Sequence, residues 1–208
     1  MVGILDYGVG NIASVYNIFR HLSIPACVSR QLSELDQATH LVLPGVGHFA
    51  HGWELLEKGG FVSFLREKVE AQHTPLLGIC LGAHYLGSWS EEGQCPGFAW
   101  IQAKTRRFDP QQMSSTLPIP HMGWNTVHPT KPHPLTQDLP EPSRFYFLHS
   151  YHFVDVPPSQ SLLTADYGYP FVCGVADKNV MGVQFHPEKS HRFGMKLLRN
   201  FSQIGLAP

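Results

Sequence analysis

The chain lacks most of the features that would place it outside the ordinary globular class. Its apolar runs stop well short of the roughly 20 residues that cross a bilayer, so no membrane association is expected. It has no excess of either charge: 15 Lys and Arg stand against 16 Asp and Glu, a net of -1. That balance removes the electrostatic argument for a nucleic acid or an anionic membrane as partner. Cysteine is scarce, at positions 27, 80, 95 and 173, with no C-x-x-C pair. Such scatter speaks against a disulfide framework and fits a reducing, cytoplasmic compartment. The opening residues, MVGILDYGVGN, carry no basic segment ahead of an apolar one, so no secretory leader is expected. Repeats and low-complexity tails are also missing.

What is present is 208 residues with a 43% apolar share, enough to build one sizeable core, and one domain over 1–208 is the default. Thirteen histidines raise the question of a metal. The close sets, His48/His51, His149/His152 and His186/His191, have no cysteine or acidic partner at a zinc spacing, so no metal or other cofactor is expected. The plainer reading is exposed or hydrogen-bonded histidines, one or two of them recruited for catalysis.

The first half alternates strand and helix patterns. Strands are predicted over 2–6, 26–29, 40–43 (stopped by Pro44-Gly45) and 75–79. Asn11 is a candidate cap for a helix whose apolar face is Ile12, Val15, Ile18, Phe19 and Leu22. Further helices are predicted over 53–56, 61–71 and 81–88. Alternation of this kind implies an α/β fold with a mostly parallel sheet covered by helices on both faces. The second half places strand candidates close together, at 100–105, 144–149, 162–166, 171–176 and 180–185, with a proline-rich stretch from His128 to Ser143. These read as a small antiparallel extension plus the last parallel strands of a mixed central sheet. A helix over 192–204 closes the chain.

Gly78-Ile79-Cys80-Leu81-Gly82 lies where an apolar strand turns sharply into a helix. A side chain there faces the usual crevice of an open α/β sheet, as in the hydrolase nucleophile elbow. A helix N-terminus favours thiolate, the reactive form of cysteine. The alternative is a buried structural cysteine beside a turn. A thiolate nucleophile needs a base, and the base an orienting carboxylate. In GVQFHPEKS, His186 ends a strand, and Glu188 lies two residues on, pointing the same way along an extended segment. By itself this could be a loop with a chance ion pair. Donors for an oxyanion are offered by the backbone N–H of Leu81 and by the turn Pro44-Gly45-Val46-Gly47, which alone is weak evidence.

Taken in order, Asp6-Tyr7-Gly8 with Gly10-Asn11, LPGVG, GICLG, PHMGWN, FYFLHSY and GVQFHPEKS resemble the class I, triad-type glutamine amidotransferases, over Ile4 to Phe201. The resemblance implies glutaminase activity at a Cys80-His186-Glu188 triad. It implies Val46 and Leu81 at the oxyanion hole, with Gly47, His84, Glu92, His149, Ser150 and Tyr151 around the L-glutamine. It implies an ammonia-accepting partner, a HisF-like (β/α)8 cyclase forming a heterodimer, with Asn11, His121, Met122, Trp124, Asn125 and Lys189 near the interface. From the residues alone PHMGWN is equally a tight turn with a core tryptophan.

Two features depart from that pattern. The family signature G-x-C-x-G-x-Q ends here in His84, which substitutes for part of the amide's bonding, adds positive charge near Cys80 if protonated, or points into the core. Segments such as LGSWSEEG and HPEKSHRFG also resemble a paralogous glutaminase that supplies ammonia to a surface-polysaccharide sugar amidotransferase. Rivals of other classes are a cysteine peptidase, which has no need of PHMGWN or Glu92, and a non-catalytic partner-binding subunit, which an intact Cys80, His186 and Glu188 argue against.

Overall fold

The computed structural model describes residues 1–113 and 117–205. Its first half runs β1 (Val2–Leu5), α1 (Ile12–His21), β2 (Ala26–Ser29), α2 (Leu32–Leu35), β3 (His40–Gly45), α3 (Phe49–Lys58), α4 (Phe61–Arg66), β4 (Leu76–Cys80) and α5 (Leu81–His84). Beyond α4 the helix loosens into a π-helical turn, Glu67–Ala71. The second half runs β5 (Trp89–Ser90), β6 (Cys95–Pro96), β7 (Lys104–Arg107), β8 (His121–Pro129), β9 (Ser143–His149), β10 (Tyr151–Val154), β11 (Ser161–Asp166), β12 (Pro170–Asp177), β13 (Val180–Val183) and α6 (His191–Phe201).

The sheet order is β2-β1-β3-β4-β13-β12-β10-β7-β5-β6, with β11, β8 and β9 branching from β12. Strands β2, β1, β3, β4 and β13 are mutually parallel. From β13 onward the ladder turns antiparallel through β12, β10 and β7. Alternation along the parallel strands divides the core between the two faces. Ile4, Val42, Leu77, Ile79 and Val183 pack with Val15 and Phe19 of α1 and Leu197, Leu198 and Phe201 of α6. Leu5, Leu41, Leu43, Leu76 and Val180 pack with Phe49 and Leu56 of α3 and Phe61 and Leu65 of α4. The continuous apolar runs of the parallel strands follow from this double burial.

Several boundaries differ from expectation, for identifiable reasons. β3 does not stop at Pro44: Pro44 and Gly45 pair with Ile79 and Cys80 of β4. On the other side β1 reaches only Val42, so the proline's missing N–H costs no ladder bond there. The helix after Cys80 lasts only to His84, because Gly87 turns the chain back onto Ala103, where an added Cβ would lie 2.9 Å from the carbonyl oxygen. PHMGWN is no turn but the start of the nine-residue strand β8, antiparallel to β9.

Candidate active site

β3, β4 and β13 lie side by side and parallel, so their carboxyl ends open on one edge of the sheet, where crevices form in such folds. The end of β3 brings Pro44 to Gly47, the end of β4 brings Cys80, and the segment after β13 brings Gln184, His186 and Glu188. Cys80 sits at φ +54° and ψ -111°. A non-glycine residue held there stores about 1–3 kcal/mol of strain, a common mark of functional positions. The flanking glycines answer a different need. A Cβ at Gly78 would lie 2.6 Å from the Gly82 oxygen, and one at Gly82 would be driven into the Leu43 carbonyl. They let the elbow seat directly on β3.

Cys80 is 7% exposed and lies near enough to His186 for its sulfur to act on the imidazole electrostatically. Nε2 of Gln184 stands 4.0 Å from its Sγ, and the Leu148 carbonyl oxygen 3.9 Å. His186 Nδ1 donates to Glu188 Oε1 at 2.7 Å, with both side chains almost wholly buried. Nδ2 of Asn11 donates to the same carboxylate oxygen at 2.9 Å, while Glu188 Oε2 is buried with no hydrogen-bond partner among the described residues. Burial would disfavour the imidazolium, but the Cys80 sulfur and the hydrogen-bonded, negatively charged Glu188 outweigh it, and the His186 pKa is pushed up to about 10. Burial likewise disfavours the Glu188 carboxylate, yet the bonds from His186 and Asn11 hold its pKa below the ordinary range. A polarised sulfur, an adjacent proton carrier and a carboxylate orienting that carrier are the parts needed for nucleophilic attack on a carbonyl.

These groups open onto a cavity of about 540 Å³, lined also by Val46, Gly47, Leu81, Glu92, Ser150, Tyr151 and Lys189. Gly47 needs to be glycine only for its φ of +100°, since a Cβ there would meet nothing. Glu92 is half-buried at the rim, and burial raises its pKa. His149 reaches the same cavity but is pinned by its neighbours. Its Nδ1 donates to the Tyr151 carbonyl at 2.7 Å, which leaves its Nε2 to accept from His121 Nδ1 at 2.9 Å. Burial pushes both pKa values down, that of His121 to about 4.

A class I glutamine amidotransferase family model matches residues 4–204. The chain belongs to that family. It is 46% identical to the imidazole glycerol phosphate synthase subunit HisH 2 of Pseudomonas aeruginosa, across 98% of this chain and 100% of that protein. It is likewise 46% identical to the synthase subunit HisH of Bdellovibrio bacteriovorus, with the same coverage. A solved glutamine amidotransferase superposes with a TM-score of 0.74 at 21% identity over 96% of each chain. The structure of PurLQS from Thermotoga maritima gives 0.69 at 17% identity, again over 96% of each. These last two likenesses show the shared fold.

For an amidotransferase of this family, the residue that departs from the signature needs placing. His84 is buried, and its Nε2 meets Gln184 Oε1 at 2.7 Å. Burial pulls its pKa down to about 4, against the hydrogen bond to Gln184, which favours the neutral ring among the readings of this position, and His84 also lines the cavity. The residues expected near the partner interface separate into two groups. Met122 and Trp124 are exposed, at 66% and 39%, beside exposed Leu148 of β9. Lys189 lines the cavity, its ammonium 5.6 Å from the centre of the Tyr146 ring. Asn11 points instead at Glu188 and makes no side-chain cap to α1. His121 is buried between Phe147 and Tyr167, and Asn125 donates to the Asp166 carbonyl, because strand alternation turns 121 and 125 inward when 122 and 124 face out.

Two residues of the site were missed in the sequence. Gln184 lies two before His186, and period-two spacing along an extended segment was the available signal. Tyr7 is buried and its hydroxyl donates to the Pro44 carbonyl at 2.8 Å, holding the upstream end of the glycine turn. Nothing local to Asp6-Tyr7-Gly8 announces that contact.

Proposed function

We propose that this chain is the glutaminase subunit of an imidazole glycerol phosphate synthase in histidine biosynthesis. It hydrolyses L-glutamine to glutamate and passes the ammonia to a HisF-like (β/α)8 cyclase. The observation that carries the reading is the buried set Cys80, His186 and Glu188 beside a cavity of about 540 Å³, in a chain nearly half identical to HisH subunits over its length.

The Cys80 thiolate attacks the side-chain amide carbon of glutamine. As the C–S bond forms, the carbonyl oxygen takes up negative charge and the N–H groups of Val46 and Leu81 receive it. His186 gives its proton to the nitrogen, the C–N bond breaks and ammonia leaves. Water then attacks the thioester, His186 takes its proton, and the C–S bond breaks to release glutamate and restore the thiolate. Glu188 keeps the imidazole aimed throughout. Glu92 receives the substrate ammonium, and His149, Ser150 and Tyr151 line its other side. Ammonia set free in water near neutral pH would protonate and lose its nucleophilicity, so a docked acceptor is part of the function. Met122, Trp124 and Leu148 offer an apolar face for it; Trp is enriched at interface hot spots.

The test is glutamate release by the purified chain, with a histidine-pathway cyclase and its nucleotide ligand added in turn. Release that rises on addition is the expected result, together with loss of glutamine-dependent but not ammonium-dependent synthesis in Cys80→Ser. Stimulation by a sugar-amidating synthase and not by the cyclase would overturn the pathway, and no release under either would overturn the activity.

A further inference from the structure

The turn Pro44-Gly45-Val46-Gly47 has to keep a backbone N–H aimed into the cavity, yet only its first half is packed in: Pro44 and Gly45 are buried, Val46 is half-buried and Gly47 exposed. Its upstream end is tied by the Tyr7 hydroxyl on the Pro44 carbonyl. Its downstream end runs at once into α3, whose first residue is Phe49 and whose capping residue, His48, offers no side-chain acceptor. The missing acceptor arrives from elsewhere in the fold: Glu92 Oε2 takes the Phe49 N–H at 2.9 Å.

The loop carrying Glu92 is built to stay there. A Cβ at Gly93 would lie 2.5 Å from Ala50 Cβ and 3.2 Å from Ala50 N, so this loop rests directly on the first turn of α3. Behind it, the Glu92 N–H donates to Ser90 Oγ, which accepts from Thr105 Oγ1 at 2.8 Å with both hydroxyl-bearing residues buried. The Arg107 N–H donates to Glu91 Oε2 at 2.8 Å, fastening the loop to β7 a second time. Glu92 also lines the cavity, so the residue that holds Phe49 borders the space a ligand would occupy.

We infer that Glu92 is a positioning residue that tethers the downstream end of the oxyanion turn through Phe49, in addition to meeting the ligand's ammonium. The ammonium and oxyanion roles in this statement rest on the glutaminase reading above; the hydrogen bond that ties Phe49 to Glu92 does not. With the tether cut, α3 loses the acceptor on its first residue, the turn is held only at its upstream end by the β3–β4 pairing and Tyr7, and the N–H that should receive the oxyanion drifts. A simple helix cap would affect stability alone, whereas a tether acts on the chemical step.

Glu92→Gln keeps an oxygen acceptor for Phe49 and removes the charge. Glu92→Leu removes both, and Glu92→Ser, too short to reach, serves as a second truncation should the leucine variant not fold. Two readouts are used: amide exchange of Phe49 in the free chain, and kcat and KM of the complex with its cyclase. The complex is assayed on glutamine and on glutaramate, which is glutamine without its α-amino group. Glu92→Gln should raise KM for glutamine on the order of thirtyfold, the worth of a charged hydrogen bond, with kcat and Phe49 exchange close to wild type. Glu92→Leu and Glu92→Ser should exchange Phe49 at least tenfold faster, and their kcat should fall about tenfold on both substrates, since one misplaced oxyanion donor costs that much or more. Truncated variants with the kcat and Phe49 exchange of Glu92→Gln would overturn the tether. If the wild-type complex releases no ammonia while the exchange difference holds, the glutaminase reading falls and the tether stands.

Discussion

Asn11→Ala is the substitution that separates two accounts of one residue. Asn11 was expected at the partner interface, and the structure places its amide 2.9 Å from Glu188 Oε1. The Glu188 side chain is 1% exposed and takes side-chain hydrogen bonds from His186 and Asn11, so the substitution removes a buried hydrogen bond to a charged group. A hydrogen bond to a charged group is worth about 1.5–3 kcal/mol, which is roughly 10- to 150-fold in rate if it falls on the chemical step. The pH dependence has a definite sign. Hydrogen bonds from His186 and Asn11 hold the Glu188 pKa down against burial, and a depressed carboxylate contributes above its unfolded pKa and loses that contribution as pH falls through the folded value. Removing Asn11 raises the folded value, so the acid limb of kcat moves to higher pH. The assay is glutamate release against pH at saturating cyclase, with cyclase affinity measured by calorimetry. A variant with unchanged kcat and acid limb but weaker cyclase binding would refute the reasoning. Helix α1 should be nearly unaffected, because Asn11 makes no cap to it.

Gly82→Ala should abolish the native fold or shift Tm down by more than 10 °C, since its methyl enters the Leu43 carbonyl and neither backbone can retreat; a melt near wild type would contradict the packing of the elbow on β3. His84 is neutral in the fold with its pKa lowered to about 4, so it favours the folded chain above an unfolded pKa near 6.5 and withdraws roughly 3 kcal/mol between there and pH 4. His84→Gln should flatten the stability profile across that window, and a profile as steep as wild type in urea titrations would count against it. Trp124→Ala should leave the fold intact and weaken cyclase binding about thirtyfold, as removal of an exposed aromatic anchor does; unchanged affinity would move the docking face elsewhere.

How far the sequence could be read depended on whether a feature was local. The apolar runs of β1, β3, β4 and β13 stood out because burial on both faces leaves no polar interruptions. The Cys80 elbow was visible through its glycines, although their cause is the approach of β3 and α5, not a positive φ of their own. β8 hid because glycine and asparagine in His121-Met122-Gly123-Trp124-Asn125 imitate a turn, and only pairing with β9 makes it a strand. β10 hid inside FLHSYHF, where Ser150 breaks two strands without any turn residue. The contacts that refine the site, Asn11 on Glu188, Tyr7 on Pro44 and Glu92 on Phe49, join residues 177, 37 and 43 positions apart. No spacing rule reaches that far.

Leu148 brings the outside of the molecule within one residue of its chemistry. Its side chain is exposed on the face shared with Met122, while its own carbonyl oxygen lies 3.9 Å from the Cys80 sulfur. Pressure on that side chain is therefore delivered to the sulfur through a single Cα, with no relay of intervening side chains to absorb it. A shift of the Leu148 backbone therefore moves a carbonyl oxygen that stands against the Cys80 sulfur.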